Sequence, residues 1–331
     1  MPISLVTGGA GFIGRHLVHQ LLQRNHQVRV LDIAEIDGIF PPDVEIYRGS
    51  ILDEILLTKA MKGIDYLFHL AANPHLWAPD KSVFHRINYE GTKRVLENAV
   101  KNEVHKIIYT SSETLLKSYR WKNKETVNEA SSMPELEDLP GPYSRSKMLA
   151  EKEARKAADA GLPVVVVYPT TPIGPGDVNL TPPTRMIMDF VNGKNPAYLD
   201  CALNYIAVED AALGHVLAAE KGKTGERYIL GNQNLWLFEV LNILEQASGK
   251  PMTRRRIPYQ VALLSAHISE FVADHITKKP PRASVEGVRL AGTHLTFDGS
   301  KAHRELGLPE NSIHHAFSNT VNWLQQQGYI K

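Results

Sequence analysis

The sequence predicts an α/β fold in which helices cover both faces of an open parallel sheet. The first observation is a set of short apolar runs at positions 3–7, 28–31, 66–70, 107–110 and 164–168. The second is the amphipathic helical spacing between them, as in Leu17, Leu21 and Leu22. Apolar strands that alternate with helices are typical of a parallel sheet buried on both faces. The fold class is therefore a doubly wound α/β sheet with a smaller second lobe.

The second half of the chain has a different pattern, which predicts the lobe. Five prolines fall between positions 169 and 183, and helical patterns then dominate at 235–247, 259–276 and 312–327. We expect residues 1–170, with 195–231 returning to them, to form the sheet domain. Residues 171–194 and 232–331 then form a mainly helical lobe over the carboxyl edge of the sheet, where such sheets bind ligands.

The composition is that of an ordinary globular protein. Of the 331 residues, 43% are hydrophobic and 22% are charged, and a formal charge of +1 gives no strong field to attract nucleic acid. Cys201 is the only cysteine, so no internal disulfide can form, which is typical of a reducing compartment. The N-terminus has neither a basic region nor a cleavage site. We expect a cytoplasmic protein without a metal site.

One apolar stretch raises the question of membrane contact. No apolar run reaches the ~18 residues that a membrane span needs. The stretch 261–266 is apolar enough for a helix on a membrane surface. We interpret it instead as a helix packed on its own domain, because its flanks lack a basic cluster.

A glycine-rich turn near the N-terminus predicts a dinucleotide site. Thr7-Gly8-Gly9-Ala10-Gly11-Phe12-Ile13-Gly14 follows a predicted strand and opens a predicted helix. Gly8 allows the tight turn, Gly11 lets the backbone approach a pyrophosphate, and Gly14 lets helix and strand pack closely. The helix N-terminus offers N–H groups and a positive dipole end to the phosphates. This order of strand, turn and helix favours a cofactor site over a glycine turn without function.

The end of the second predicted strand indicates which dinucleotide is bound. Asp32 lies there, 18 residues after Gly14. A carboxylate at this place accepts hydrogen bonds from the adenosine ribose and repels a 2′-phosphate. No Arg or Lys occurs at 33–36. We therefore predict NAD rather than NADP; the alternative is an aspartate that only caps the strand end.

Tyr143 and Lys147 are four residues apart at the start of a predicted helix, so their side chains share one face. A free Tyr loses its proton near pH ~10. A nearby ammonium and a positive nicotinamide ring favour phenolate and lower that pKa. Tyr143 then takes a proton from a substrate hydroxyl, or gives one in the reverse direction.

In Thr110-Ser111-Ser112, at the end of a strand, we favour Ser112 over Ser111 as the hydroxyl that holds the reacting oxygen.

Several motifs together resemble the extended short-chain dehydrogenase/reductases, in their NAD-dependent epimerase/dehydratase branch. They are the glycine-rich start, His69-Leu70-Ala71-Ala72, Asn88-x-x-Gly91-Thr92, Thr110-Ser111-Ser112, Tyr143-x3-Lys147, Gly174-Pro175-Gly176 and Ser300-Lys301-Ala302-x3-Leu306-Gly307. The segments 76–80, 172–175 and 225–231 look like the hopanoid-associated sugar epimerases, a subgroup that also resembles dihydroflavonol reductases.

The resemblance implies a Rossmann-type sheet, bound NAD, a Ser112/Tyr143/Lys147 triad and a homodimer formed through a helix bundle. Residues 1–170 would then bind NAD, and the lobe would bind substrate. The implied cofactor contacts are Gly8, Gly11, Phe12, Ile13, Gly14, Asp32, Ser50, Ile51, Leu70, Ala71, Ala72, Asn88, Tyr143, Lys147 and Pro169. Ala71 and Ala72 would line the adenosine and ribose path. Pro169 would back the nicotinamide, and Asn88 would be structural near the catalytic centre.

The sequence departs from the family pattern at three places. Gly49-Ser50 stands where the family often has Gly-Asp, which leaves Asp53 as the nearby acid for an adenine contact. Leu203-Asn204 stands where nucleotide-sugar epimerases usually carry an Arg that pairs with the diphosphate. Loss of such a charge-assisted contact weakens the prediction of a UDP-sugar substrate. Tyr168 replaces a common Arg before Pro169.

A further group of side chains keeps two interpretations each. Glu113 is an acid for a leaving hydroxyl, as in related dehydratases, or a structural or solvated residue, which we favour. Arg185, Arg289 and the run 254–256 would meet an anionic substrate, although a solvated turn is favoured for the run. Three more side chains would either approach the substrate pocket or lie in the core or on the surface: His75, Trp77 and His85.

The leading hypothesis is an NAD-dependent oxidoreductase acting at a secondary alcohol or ketone of a small molecule. In a sugar epimerase or dehydratase, the favoured type, the hydride returns to the substrate. In a net reductase or dehydrogenase, similar to dihydroflavonol reductases, the cofactor exchanges with solvent. A non-catalytic NAD-binding protein is the third alternative, because fold does not fix function.

Overall fold

The computed structural model describes residues 1–36, 38–120 and 126–330; Lys331, the last residue assigned to the lobe, lies outside them. The strands in chain order are β1 (Ile3–Thr7), β2 (Gln27–Asp32), β3 (Glu45–Arg48), β4 (Tyr66–His69), β5 (Lys106–Thr110), β6 (Thr126–Val127), β7 (Val164–Pro169), β8 (Thr171–Ile173), β9 (Tyr198–Leu199), β10 (Ala202–Ala207), β11 (Arg227–Leu230), β12 (Gln233–Trp236), β13 (Arg256–Ile257) and β14 (Thr296–Phe297).

The helices in chain order are α1 (Phe12–Gln23), α2 (Glu54–Met61), α3 (Ser82–Phe84), α4 (Gly91–Lys101), α5 (Pro142–Asp159), α6 (Pro182–Val191), α7 (Val208–Lys221), α8 (Leu237–Ser248), α9 (Tyr259–Val272), α10 (Val285–Ala291), α11 (Ser300–Leu306) and α12 (Ile313–Gln326). Two 3₁₀ turns lie at Glu113–Leu116 and Leu136–Asp138, and two π-helical turns at His85–Glu90 and Ala273–Thr277. The five predicted strands and three predicted long helices all occur, with ends within two residues when the π-turn after α9 is included.

Seven parallel strands form the central sheet, in the order β11-β7-β5-β4-β1-β2-β3. Side chains alternate across it as the pleat requires: Leu5 and Leu67 face one core, Val6 and Phe68 the other. The chain leaves β1 toward β2 on one side and later reaches β4 on the other, so a crevice opens at the carboxyl ends of β1 and β4. The predicted doubly wound α/β fold is confirmed.

Helices bury both faces of this sheet. On one face lie α2, α4 and α5, which contribute Leu57, Val95 and Ala154 to a core of fully buried side chains. On the other lie α1, α7 and α11, and a separate core there includes Leu17 and Ala302. Burying a side chain of this size contributes about 1.5–3 kcal/mol. Both layers therefore hold the carboxyl edge of the sheet in a fixed shape.

The lobe differs from its predicted boundaries in two respects. Residues 195–207 do not return to the central sheet, because β10 pairs with β8 and β12 in a separate three-stranded sheet. The return begins at Val208 with α7 and β11. Conversely α11, predicted to lie in the lobe, packs Ala302 and Leu306 into the sheet domain's core. The lobe's own core joins α6, α8 and α12.

Residues 261–266 do pack on their own domain, as interpreted from the sequence, but only through one side of α9. Ala262 and Ala266 are buried, but Val261 and Leu264 are 52% and 63% exposed. Short alanines therefore make the contact with the domain, and the larger apolar side chains face away from it. Within the described residues, no helix combines the length and the apolar character that crossing a bilayer requires.

Candidate active site

The glycine-rich turn packs closely on itself and on the segment after β4. Gly8 has φ +74°, and a Cβ there would lie 2.7 Å from the Ala71 nitrogen. A Cβ on Gly14 would lie 2.2 Å from the Gly8 carbonyl oxygen. A side chain at either position would break the close approach of β1, α1 and the segment after β4, so these glycines are demanded by packing. Gly11 is the N-cap of α1, and no described side chain caps that helix end. Phe12 and Ile13 form its first turn.

Asp32 ends β2 beside this turn. Its carboxylate accepts hydrogen bonds from the Ala10 nitrogen (2.9 Å) and the Ala34 nitrogen (3.0 Å). The Gly49 nitrogen donates to the Asp32 carbonyl oxygen at 2.8 Å, which brings Ser50 next to the same corner. The predicted ribose-side residue therefore lies at the crevice and also fixes the glycine-rich turn.

Two residues near the expected adenine contact, Asp53 and Ile51, have structural contacts of their own. Asp53 is engaged as the N-cap of α2, with its carboxylate accepting from the nitrogens of Ile55 and Leu56. Ile51 is buried against α4, where a Cβ on Gly91 would lie 2.5 Å from its Cδ1. The side-chain oxygen of Asp53 is therefore committed to the helix.

Leu70, Ala71 and Ala72 follow β4 and cross beside the glycine-rich turn, with the Leu70 nitrogen donating to the Thr7 carbonyl at 3.0 Å. Behind them His69 bridges two hydroxyls: Nδ1 lies 2.7 Å from Thr7 Oγ1, and Nε2 lies 2.9 Å from Thr92 Oγ1. Burial, and secondly the charge of Lys147, lower the pKa of His69 to about 3. His69 is thus a neutral structural residue at physiological pH.

Asn88 lies buried in the π-helical turn that precedes α4. Its Nδ2 donates to Ser146 Oγ at 3.0 Å and to the Asn73 carbonyl at 3.3 Å, and its Oδ1 accepts from the Asn73 nitrogen at 2.7 Å. The amide thereby ties the segment after β4 to the helix that carries Tyr143. π-helical turns of this kind are frequent at functional sites.

Tyr143 stands in the first turn of α5, close to Ser112. Burial raises the pKa of Tyr143 to about 12; Ser112 lowers it by a hydrogen bond, and the carboxylates Glu286 and Glu113 raise it. Burial and the two negative charges therefore set the pKa of Tyr143 in this structure, and the predicted lowering by Lys147 together with a nicotinamide ring stays a prediction. At neutral pH Tyr143 is a phenol, the form that donates a proton.

Lys147 is buried one turn further along α5. Its Nζ donates to the Thr110 carbonyl oxygen at 2.6 Å and lies 4.8 Å from the centre of the Tyr109 ring. Burial lowers the pKa of Lys147 to about 8, although Glu151 opposes the shift. The ammonium is therefore held at the carboxyl end of β5, next to Tyr143 and Ser112.

The two neighbouring serines after β5 have different surroundings. Ser111 Oγ donates to Glu151 at 2.6 Å, and the Tyr168 hydroxyl donates to the same carboxylate at 2.5 Å. Ser112 instead contacts Tyr143 and Thr114. This geometry favours Ser112 as the substrate-side hydroxyl. It also shows that Tyr168 points into the core, away from any phosphate, and that Glu151 is a buried partner which the sequence did not reveal.

Glu286 is the second group that sequence reasoning missed. This buried residue of α10 accepts hydrogen bonds at one oxygen from the Ser144 nitrogen (2.8 Å) and Ser144 Oγ (2.6 Å), and at the other from the Tyr143 nitrogen (3.1 Å). It satisfies free N–H groups at the start of α5, as an N-cap would. The sequence carries no local signal for a cap that comes from 142 residues away.

Glu113 is neither solvated nor free. It forms an ion pair of 2.9 Å with Lys117, and the two side chains are 11% and 2% exposed. The Lys117 ammonium also lies 5.2 Å from the centre of the Phe297 ring. The structural interpretation of Glu113 is therefore favoured, because its buried carboxylate is already paired with the Lys117 ammonium.

The remaining candidates lie mostly outside the catalytic centre. Trp77 is buried and donates from Nε1 to Asp274 at 2.7 Å. Arg289 donates to the Pro140 carbonyl at 3.1 Å and stacks on Tyr119. The others are exposed: His75, His85, Arg185 and the run 254–256, in which Arg254 pairs with Glu245 and Arg256 with Asp200.

Asn204 lies in β10, at the place where nucleotide-sugar epimerases are expected to carry an Arg that binds the diphosphate. It is 2% exposed. Its Nδ2 donates to Asn234 Oδ1 at 3.1 Å, and its Oδ1 accepts from the Asn232 nitrogen at 3.0 Å. The amide thus forms hydrogen bonds with β12 and with the residue before it, and this position offers no cation to a phosphate.

The parts come together at one edge of the sheet. Pro169 ends β7 two residues beyond Val167, which pairs with Thr110 of β5, and Lys147 contacts the same strand end. A dinucleotide turn that precedes a Tyr-x3-Lys helix, with a hydroxyl at the end of β5, defines a nicotinamide-dependent oxidoreductase of the Rossmann type.

Comparisons with known proteins identify the family. The sequence model of the NAD dependent epimerase/dehydratase family matches residues 4–231, and the chain belongs to this family. A "Putative dihydroflavonol 4-reductase" of Synechocystis sp. is 37% identical over 98% of this chain and 95% of its own. "Sterol demethylase protein B" of Methylococcus capsulatus is 29% identical over 99% of both chains. The crystal structure of gox2253 superposes with a TM-score of 0.86 at 32% identity, covering all of both chains. The predicted resemblance and the enzyme class are confirmed.

Proposed function

We propose that this protein is an NAD(H)-dependent dehydrogenase/reductase that interconverts a secondary alcohol and a ketone on an apolar, ring-containing substrate. The observation that carries this proposal is Asn204. Because its amide is buried in a hydrogen-bond network, this position of β10 lacks the cation with which nucleotide-sugar epimerases are expected to hold a diphosphate. An uncharged substrate body suits this wall of the site better than a nucleotide sugar.

The cofactor fits the residues present. Gly8 and Gly14 allow the close packing of the turn, Gly11 lies at the N-terminus of α1 where the pyrophosphate would bind, and Asp32 stands at the ribose corner. Phe12, Ile13, Ser50, Leu70, Ala71, Ala72 and Pro169 complete the proposed contacts along the crevice. Ile51 and Asn88 act behind them by packing and by hydrogen bonds. When bound, NAD supplies the hydride acceptor, and NADH the donor.

The chain's own residues handle the proton and the oxygen. The protonated Tyr143 gives its proton to the carbonyl oxygen of a ketone, or removes it from the alcohol in reverse. Ser112 donates a hydrogen bond to the same oxygen. The Lys147 ammonium stabilises the phenolate left on Tyr143, and its contact with Thr110 holds it in place.

The walls near Tyr143 support an apolar substrate. The Phe84 ring is buried and lies 6.5 Å from the Tyr143 ring in an edge-to-face arrangement. Two similar proteins bear names that denote ring compounds, a dihydroflavonol and a sterol. We further expect a homodimer located in the cytoplasm, as the family resemblance implies.

A sugar epimerase or dehydratase is the second candidate, favoured by the family match and by a carboxylate, Glu113, next to Ser112. The two candidates differ in whether the cofactor changes its redox state overall. The test mixes purified protein with three substrate pairs: a hydroxysteroid with NAD⁺, a dihydroflavonol with NADH, and UDP-glucose with NAD⁺. A rise in NADH absorbance with the hydroxysteroid, or a fall with the dihydroflavonol, that is absent in Tyr143→Phe supports the proposal. Conversion of UDP-glucose without net NADH, together with inert ring alcohols, would overturn it.

A further inference from the structure

Helix α9 exposes a continuous apolar stripe, which we call the α9 face. It consists of Val261, Leu264, Ile268 and Phe271, whose side chains are 52%, 63%, 59% and 59% exposed. Their spacing of three and four residues places them on one side of the helix. The helix of 14 residues is roughly 21 Å long. Grouped exposed apolar side chains of this kind mark a surface that contacts an apolar partner.

The acidic side chains of α9 and its π-helical extension point away from this face. Glu270 and Asp274, the two acids in residues 259–277, both accept hydrogen bonds from Lys81, at 2.8 and 2.9 Å. Asp274 also accepts from Trp77. Both carboxylates are neutralised where α9 meets the sheet domain, so the outer face of α9 presents no carboxylate.

Cations lie at the end of the same face. Lys278, Lys279 and Arg282 are exposed, and together they form what we call the basic loop. Two hydrogen bonds hold this loop against α9: the Arg282 nitrogen donates to Ser269 Oγ at 3.1 Å, and the Val285 nitrogen donates to Glu270 at 2.8 Å. No basic cluster directly flanks 261–266 in the sequence, because these cations follow twelve or more residues later, after the end of α9 and its π-helical turn.

We propose that the α9 face and the basic loop dock this enzyme peripherally on an anionic lipid bilayer. A helix with an apolar face and adjacent cations lies in the interfacial plane of a membrane, with the apolar side chains in the acyl boundary and the cations near the headgroups. Charge favours this occupant: among residues 259–285, Lys278, Lys279 and Arg282 are exposed cations, and both acids are paired with Lys81, which matches anionic headgroups. The proposal does not depend on the substrate class proposed above.

Docking at this face would place the membrane beside the catalytic centre. Trp77 and Lys81, which hold α9, belong to the segment between β4 and the π-turn that contains Asn88. After the basic loop, the chain runs directly into α10, whose Glu286 holds the first turn of α5. The bilayer surface therefore lies next to the elements that enclose Tyr143, which suits substrates dissolved in lipid.

The test is flotation with vesicles. Full-length protein is mixed with vesicles of phosphatidylcholine, with or without about one third phosphatidylglycerol, and centrifuged through a density gradient. Wild-type protein should float with the anionic vesicles, and less at high salt because screening weakens the attraction. Leu264→Ser with Ile268→Ser should lower the partition coefficient about tenfold per residue. Lys279→Gln with Arg282→Gln should lower it about fivefold per cation.

Matched controls come from a second exposed site. Ile55 is 73% exposed on α2, and Lys59 is exposed on the same helix. Ile55→Ser with Lys59→Gln should float like wild type. Circular dichroism and turnover of water-soluble substrate show whether each variant is folded. Wild-type protein that stays at the bottom of the gradient would overturn the proposal, as would equal flotation of all variants.

A second copy of the chain is the competing occupant of the α9 face. Sedimentation velocity without lipid distinguishes it. If Leu264→Ser with Ile268→Ser turns a dimer into a monomer, the face is a protein interface and the membrane proposal is wrong. An unchanged mass together with lost flotation supports the membrane.

Discussion

Glu286 and Ser144 are 142 residues apart in the chain, yet one Glu286 oxygen accepts hydrogen bonds from both the nitrogen and the hydroxyl of Ser144, at 2.8 and 2.6 Å. The other oxygen accepts from the Tyr143 nitrogen. The first turn of the catalytic helix is therefore positioned by a carboxylate from the lobe. The lobe is therefore joined through this residue to the helix that carries Tyr143.

Replacing Glu286 should affect both the position of Tyr143 and its acidity. Glu286→Ala leaves buried N–H groups without partners, which we expect to destabilise the fold by about 1–3 kcal/mol and to lower kcat. Glu286→Gln keeps the shape but removes the negative charge that helps raise the pKa of Tyr143. In the pH–rate profile of Glu286→Gln, the loss of activity that we assign to deprotonation of Tyr143 should therefore occur at a lower pH than in wild type. Thermal unfolding and pH–rate profiles measure the two effects, with exposed Glu310→Gln as control. Identical pH profiles for Glu286→Gln and wild type would contradict this role.

The two adjacent serines should separate catalysis from stability. Ser112→Ala removes the hydroxyl beside Tyr143, so kcat should fall about 10²-fold with little change in unfolding. Ser111→Ala deprives buried Glu151 of one donor, which should cost about 1–3 kcal/mol of stability with a much smaller loss of kcat. Steady-state kinetics and denaturant unfolding of both variants provide the test. The reverse pattern would show that Ser111 is the substrate-side hydroxyl.

Tyr143→Phe should lower kcat by about 10²–10⁴-fold, because the proton donor is lost. Binding of NAD should persist, since the phenol is not among the groups that hold the pyrophosphate. Isothermal titration with NAD, alongside turnover, checks both statements. Full activity of Tyr143→Phe would remove it from the mechanism.

Lys147 should give the pH profile a limb near pH 8. Its folded-state pKa, about 8, lies below the usual value of a lysine, so the ammonium is present below pH 8 and is lost as the pH rises through it. Because the cation stabilises the phenolate, kcat/KM should decline above that pH. An arginine stays charged, so Lys147→Arg should be slower but should lack this limb. A wild-type profile that is flat from pH 7 to 9 would contradict the assignment.

Asp32 should set the choice between the two dinucleotides. Asp32→Ala removes the carboxylate that repels a 2′-phosphate. It also removes the acceptor of the hydrogen bond that the Ala10 nitrogen donates to Asp32. We expect about tenfold weaker binding of NAD and a smaller ratio of NAD to NADP affinity. Glu35→Gln, at an exposed residue paired with Arg48, is the control. Tighter binding of NADP than NAD by the wild-type protein would overturn the prediction.

The sequence predicted what local patterns determine. The apolar runs placed the strands, and the spacing of Gly8, Gly11 and Gly14 predicted the turn, because both depend on residues that are neighbours in the chain. Glu286 and Glu151 escaped prediction because their partners are distant in sequence. The raised pKa of Tyr143 escaped because it depends on burial. The exposure of Leu264 escaped because the buried contacts of α9 are alanines, which carry little hydrophobic signal.

The order of the central strands has a consequence for biosynthesis. A ribosome delivers the N-terminus first. Residues 1–170 already contain six of the seven central strands, Tyr143 and Lys147. The edge strand β11 and the carboxylate of Glu286 arrive only afterwards. A nascent chain therefore can assemble its six strands early, but the start of α5 stays uncapped until Glu286 has been synthesised, so we expect no activity from shorter nascent chains.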